Sequence, residues 1–328
     1  MIRILYCPRE RACQMDMTPE ALPEALRNRA GLLWVDIAGE ETAQCEPILR
    51  KTFGFHPLAV EDALSEAHVP KLDEWDDYIY LVLHDIVHHA GDYGHTQLPE
   101  LDIFLGHNYI VTHHQMIIPA LERTWVLFSR DERLRQGGPD HILFRLSHEL
   151  VKDHLDVIAQ VEEVVNELED RVFDKPSPDI LEQLFALKRM LLQMRRTVGP
   201  QREVFNKLAR DKLPGVDSRD KVFFRDVHDQ AVRLYDLMES QRDLVTGTLD
   251  TYLSMVNNRM NETMRLLTVI TTLFMPLAFV TGFFGMNFFQ PVLQSEWWTG
   301  AYSLEASLGI MVLVPILMFW WMKRKGLV

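Results

Sequence analysis

The sequence predicts an α+β membrane chain: an N-terminal cytoplasmic α/β domain, a long helical stalk, and two C-terminal transmembrane helices, the first continuous with the stalk. Three observations carry this reading. The first ~140 residues alternate β-rich and helical runs. A helical repeat then runs from Val222 to Phe284, and two apolar stretches without a charge, Leu266–Phe284 and Ser307–Met322, lie near the C-terminal end. The expected partition is 1–140 for the α/β domain, 141–216 for an antiparallel helical hairpin and 217–265 for the cytoplasmic stalk. It continues with 266–287 for the first span, 288–303 for the outer loop, 304–322 for the second span and 323–328 for a basic tail.

In the first part, Arg3–Cys7, Leu32–Ile37, Tyr78–Val87 and Leu101–Thr112 read as strands. Pro23–Arg29 and Ala43–Thr52 read as helices from their apolar spacing and polar faces. His88–His95 (HHAGDYGH) reads as the turn between two strands; an exposed turn gives its histidines no rigid four-ligand geometry, so a solvated loop is expected rather than a metal site. Cys7, Cys13 and Cys45 fall in a domain expected to stay in the cytosol, where reduced thiols are the rule. No signal peptide is expected, because the N-terminus lacks a long apolar core with a small-residue cleavage site.

From His141 long helices take over. His141–Asp174 is amphipathic and rich in acids, which on its own reads as a solvated face. KPSPD breaks it, Ser177 is placed to cap and Pro178 to open the next helix, and Ile180–Leu213 returns antiparallel. Then Phe223, Val227, Ala231, Leu234, Met238, Val245, Leu249, Tyr252 and Val256 step by threes and fours, with one skip, and no proline intervenes before Pro276. A helix from Val222 to Phe284 is on the order of 95 Å long. Its apolar stripe needs cover, which self-association around an axis would supply. On the span, Asn261, Met264, Leu267 or Thr268, Thr271, Met275, Ala278, Gly282 and Gly285 share one face at that spacing. A close-packed helix interface accounts for Ala278 and Gly282 equally well. It accounts less well for Asn261, or for Asn287 at the end of an apolar run.

Each span suits a hydrocarbon layer of about 30 Å, the second once it is extended through Tyr302–Ala306. Arg259 and Arg265 precede the first span, Lys323, Arg324 and Lys325 follow the second, and Gly285–Ser303 has no Lys or Arg. The positive-inside bias therefore places both termini in the cytoplasm of a cell (inner) membrane. Trp297, Trp298 and Tyr302 on one side, and Trp320 and Trp321 on the other, are placed as interfacial belts. No GxxxxGK[ST], HExxH or GxSxG motif occurs, so no enzyme is expected.

Two terminal spans fed by a giant helix, with Gly285-Met286-Asn287 at its outer end, resemble the CorA-type divalent-cation channels of the Gly-Met-Asn signature. HPLAVEDAL (His56–Leu64), VPKLDEWDDYIYLVL (Val69–Leu83), FRDVHDQ (Phe224–Gln230) and MNETMRLLTVITTLFMPLAFVTGFFGMNF (Met260–Phe288) extend the likeness over nearly the whole chain. The resemblance implies a homopentameric funnel in the lipid bilayer, with the first span lining the pore and a ring of Asn287 amides facing hydrated cations. Its substrate would be Mg²⁺, with Co²⁺ and Ni²⁺ as further ions, and neither an organic cofactor nor nucleic acid is expected. Regulatory Mg²⁺ between cytoplasmic domains would fall to Glu61, Asp62 and Asp226, and Lys323, Arg324 and Lys325 would form a basic ring. Two departures stand out: the outer loop carries only Glu296 where many members are acidic, and Ala278 replaces a hydroxyl, with Thr281 three residues on. The related zinc-transporting branch, which commonly has valine in place of Met286, and an oligomeric membrane sensor or scaffold are the alternatives.

Overall fold

The computed structural model describes residues 1–8, 13–15, 17–65, 69–88, 93–131, 133–286 and 301–326. Contacts divide the chain into two units, Met1–Asp250 and Thr251–Val328. The elements are β1 (Ile2–Cys7), α1 (Leu22–Arg27), β2 (Leu32–Ala38), α2 (Thr42–Pro47) lengthened by a π-helical turn, α3 (Pro57–Leu64), β3 (Lys71–Glu74), β4 (Tyr78–His84), β5 (Glu100–Gly106) and β6 (Tyr109–His114). The helices α4 (Pro119–Arg130), α5 (Pro139–Asp174), α6 (Pro178–Arg210), α7 (Lys221–Phe284) and α8 (Ala301–Arg324) follow.

One six-stranded sheet, in the order β1-β2-β6-β5-β4-β3, organises the first unit; β2 and β6 run parallel and the other pairs antiparallel. Its strands are apolar on both faces because both are covered. Val35, Ile37, Tyr80, Val82, Phe104 and Val111 pack with Leu22 of α1, Cys45 of α2, and Ala59, Val60 and Ala63 of α3. The alternate residues face α4, α5 and α6: Trp34 meets Trp125 of α4 edge-on at 4.7 Å. Asp36 is fully buried on β2, with Arg3 at 2.7 Å and the Thr112 hydroxyl donating to it at 2.6 Å. Burial pushes its pKa up, but hydrogen bonds from His114 and Thr112 and the charge of Arg3 outweigh that and hold it low.

Several elements depart from the sequence expectation. The run expected as one strand over Leu101–Thr112 is a hairpin, β5 and β6, turning at His107–Asn108; both arms are so apolar that alternation hides the break. β3, α3 and α4 are additional: each is short, and α3 and α4 open on Pro57 and Pro119 at the first turn. Ser177 occupies the cap position of α6, but its hydroxyl makes no capping bond. Cys7 and Cys13 are joined in a disulfide, contrary to the expected free thiols. Tyr6 and Gln14 exchange backbone hydrogen bonds of 2.9 and 2.8 Å, which folds the chain back and brings the two Cα atoms to 4.2 Å. Cys45 is free and buried.

The apolar stripe of α7 is also covered differently. Phe224, Val227, Ala231, Leu234, Met238 and Val245 are buried within the single chain. The α5–α6 hairpin supplies the cover, with Phe144 stacked on Phe223 at 4.9 Å, Arg202 over Tyr235 at 4.8 Å and Arg195 paired with Glu239 at 3.2 Å. Self-association is therefore not what buries Phe224 to Val245, while Val256 at the far end of the stripe is exposed. The connection into α7 is seated by Gly215, whose φ is +77° and where a Cβ would lie 2.9 Å from the Gly106 carbonyl oxygen. Gly215→Ala is expected to destabilise the first unit by about 1–3 kcal/mol, read as a lowered denaturation midpoint, because alanine meets both backbone strain and a clash there.

Candidate ion-pathway site

In the second unit, α7 and α8 are long and apolar enough to cross a membrane. Arg265 donates to the Gly326 carbonyl at 3.1 Å, so the polar end of the α7 span meets the C-terminal end of α8. Lys323, Arg324 and Lys325 are therefore gathered at the level of Arg265, with Arg324 5.5 Å from the Trp320 ring centre.

α8 covers one side of the α7 span. Val269, Thr272, Leu273, Pro276, Leu277 and Val280 are half-buried, and Leu273 shares a groove with Pro315, Ile316, Phe319 and Trp320. The residues assigned to the pore face all lie on the uncovered side: Asn261, Met264, Leu267, Thr268, Thr271, Met275, Ala278 and Gly282 are exposed. At about 100° per residue the two sets are centred roughly 150° apart around the helix. Met264, Leu267 and Met275 are 59%, 64% and 67% exposed, as are other apolar residues of the span away from α8, such as Phe274 and Phe279 at 64% and 72%.

The hydroxyls on this face share one orientation. Thr268 donates to the Met264 carbonyl and Thr271 to the Leu267 carbonyl, each at 2.8 Å, so their hydrogens are occupied and their lone pairs are what they offer outward. At the end of α7 the Gly285 amide donates to Thr281 at 2.9 Å, and a Cβ on Gly285 would lie 2.8 Å from that same oxygen. Glycine is required by this close approach. Met286 follows, 52% exposed; Asn287 and the loop with Glu296, Trp297 and Trp298 lie outside the described residues, as does the side chain of Tyr302.

The proposed cytoplasmic cation residues sit on two elements. Glu61 and Asp62 occupy the last turn of α3, whose first turn is capped by His56 Nδ1 accepting from the Leu58 amide at 3.2 Å. Asp226 is exposed in the first turns of α7, where Gln230 donates to it at 2.7 Å. Among the described residues no three acidic, His or Cys side chains converge as a metal cage within one chain, and that includes the described part of the His88–His95 turn. Sequence reasoning missed Lys71 on β3, which forms ion pairs with Asp62 and, at 2.8 Å, with Asp73. Partial burial works to lower the Lys71 pKa, but its hydrogen bonds to Asp62 and Asp73 raise it, so it stays charged. Its signal lay in the VPKLDEW block, where a lysine stands two residues before an acid.

The sequence profile of the family described as CorA-like Mg2+ transporter protein matches residues 29–324. A putative metal ion transporter, YfjQ of Bacillus subtilis, is 32% identical over 89% of this chain and 89% of its own. The cobalt/magnesium transport protein CorA of Thermotoga maritima is 30% identical over 89% of this chain and 82% of its own. The zinc transport protein ZntB of Yersinia pestis is 23% identical over 82% and 80%. Among solved structures, the CorA magnesium transporter of Methanocaldococcus jannaschii superposes with a TM-score of 0.80 at 22% identity, covering 99% of this chain and 98% of that one. The long helix, the two spans and the match along nearly the whole chain agree: this chain belongs to the family of CorA-like Mg²⁺ transporter proteins, which transport divalent metal ions and are not enzymes.

Proposed function

We propose that five copies of this chain assemble around an axis in the cell inner membrane, termini in the cytoplasm, as a Mg²⁺ channel with Co²⁺ and Ni²⁺ as secondary ions. One observation carries the reading: α7 runs unbroken from the α/β unit into the span and keeps its small, amide, hydroxyl and thioether face clear of α8. Five such faces make a closed pathway. Mg²⁺ holds octahedral water tightly at about 2.0–2.1 Å, so a filter that accepts hydrogen bonds from that water avoids the cost of stripping it. Threonine hydroxyls with outward lone pairs fit this, and Asn287 of the Gly285-Met286-Asn287 signature would add a carboxamide ring at the outer end.

The zinc branch is the competing reading. Zinc favours nitrogen and sulfur donors, and the exposed face offers amide and hydroxyl oxygens with thioethers but no His or Cys. Flux of Mg²⁺, Co²⁺, Ni²⁺ and Zn²⁺ into vesicles carrying the purified protein separates them: Mg²⁺ leads in this account, and Zn²⁺ moving while Mg²⁺ does not would replace it.

Met264, Leu267 and Met275 give the closed state its barrier, since narrow apolar rings exclude a hydrated ion by dewetting. Met264→Gly and Leu267→Ser are expected to raise basal Mg²⁺ leak by about tenfold, the effect of ~1.4 kcal/mol off the barrier. Unchanged leak in both variants would put the barrier elsewhere.

A further inference from the structure

The acidic face of α5 is left without a partner inside the chain. Asp156, Ala159, Gln160, Glu163 and Asp170 are exposed along one stripe of that helix, and on α6 Phe185, Arg189, Leu192 and Arg196 form another. Phe185 and Leu192 are 46% and 41% exposed, one on each side of Arg189. Among the described residues, none of Asp156, Glu163, Arg189 and Arg196 has an ion-pair partner. Each stripe lies opposite the buried side of its helix, at spacings of three, four and seven.

The two stripes also match in height. Glu163 and Arg189 lie equally far from Pro176 at the turn, as do Gln160 and Leu192, and Asp156 and Arg196. At about 1.5 Å per residue these levels fall roughly 20, 24 and 30 Å from the turn. Copies rotated about an axis parallel to the hairpin present the same residue at the same height, so residues equidistant from the turn meet across a head-to-tail contact. Acid then meets arginine at two levels, and Leu192 meets the Ala159–Gln160 step between them.

We propose that the α5 face of one subunit docks on the α6 face of the next, the partner being a second copy of this chain. This contact rests on the oligomeric reading above and adds to it a specific ring-closing interface outside the pore. The charge pairs set register more than affinity, because exposed pairs contribute little individually and are screened by salt. The apolar Phe185 and Leu192 supply the area to cover.

Cross-linking of the full-length protein in detergent tests it. One tagged copy carries Glu163→Cys and a differently tagged copy Arg189→Cys; oxidation should join unlike tags at least about tenfold more than when Arg210→Cys replaces Arg189→Cys, because only the first pair is in register. Wild-type protein, with Cys45 buried and Cys7 bonded to Cys13, supplies the background. With the two cysteines moved to Gln160 and Leu192, D156R/E163R together should lower the cross-linked yield, and adding R189E/R196E should restore it. Equal yields from both pairs, or no rescue, while the wild type sediments as an oligomer would overturn this contact and leave the oligomer standing. A monomeric wild type would overturn both.

Discussion

Asn287→Ala is expected to bring Mg²⁺ flux to the level of empty vesicles with the oligomer intact. In the proposed pentamer, five amides each giving up about 0.5–1.5 kcal/mol of hydrogen bonding to first-shell water would amount to a loss of about seventyfold or more. The assembly should survive, because in the proposed pathway the amides would face ions and not neighbouring helices. The oligomer is checked by sedimentation and the flux by a Mg²⁺-sensitive dye inside the vesicles. Normal flux through Asn287→Ala would remove the filter from this position.

The second large effect is expected at the cytoplasmic acids. If Glu61 and Asp62 of one subunit and Asp226 of the next share Mg²⁺, the ion favours the closed arrangement by its differential affinity for the two states. Asp226→Ala and Asp62→Ala should each raise the internal Mg²⁺ needed for half-inhibition by about tenfold, within the usual range of coupling energies. Lys71 adds a sharper version of the test. Its ammonium already holds Asp62, so Mg²⁺ binding there would have to compete with it, and Lys71→Met should then lower the half-inhibiting concentration. Neutralising the acids also removes repulsion in the ion-free state, so these variants respond less without being locked open. Unchanged inhibition in the Asp62→Ala/Asp226→Ala double variant would show the regulatory site to be elsewhere.

What was readable in the sequence followed length and periodicity. α5, α6 and α7 emerged because each repeats its apolar spacing over many turns, and the spans because charge vanishes from them. β5 and β6 merged into one expected strand because burial on both faces removes the alternation that would mark a turn. α3, which carries Glu61 and Asp62, was legible only through its resemblance block: eight residues are too few for a periodic signal. The partner of the α7 stripe was misread for another reason. Periodicity shows that a face is buried but not by what, and here the chain's own hairpin buries Phe224 to Val245. Likewise no spacing rule announces that Lys71 reaches Asp62 from a neighbouring strand, or that Cys7 meets Cys13 where Tyr6 pairs with Gln14.

The central claim, that the uncovered face of α7 is the wall of a Mg²⁺ pathway, is tested most directly by placing single cysteines along the span. Variants at Thr271, Met275 and Ala278, and at Leu273 and Val280 on the α8 side, are reconstituted and treated with a small water-soluble thiol reagent during Mg²⁺ flux. The account predicts block at Thr271, Met275 and Ala278, relieved by reduction, and no effect at Leu273 or Val280. Block at the α8-facing positions with none on the uncovered face would contradict it.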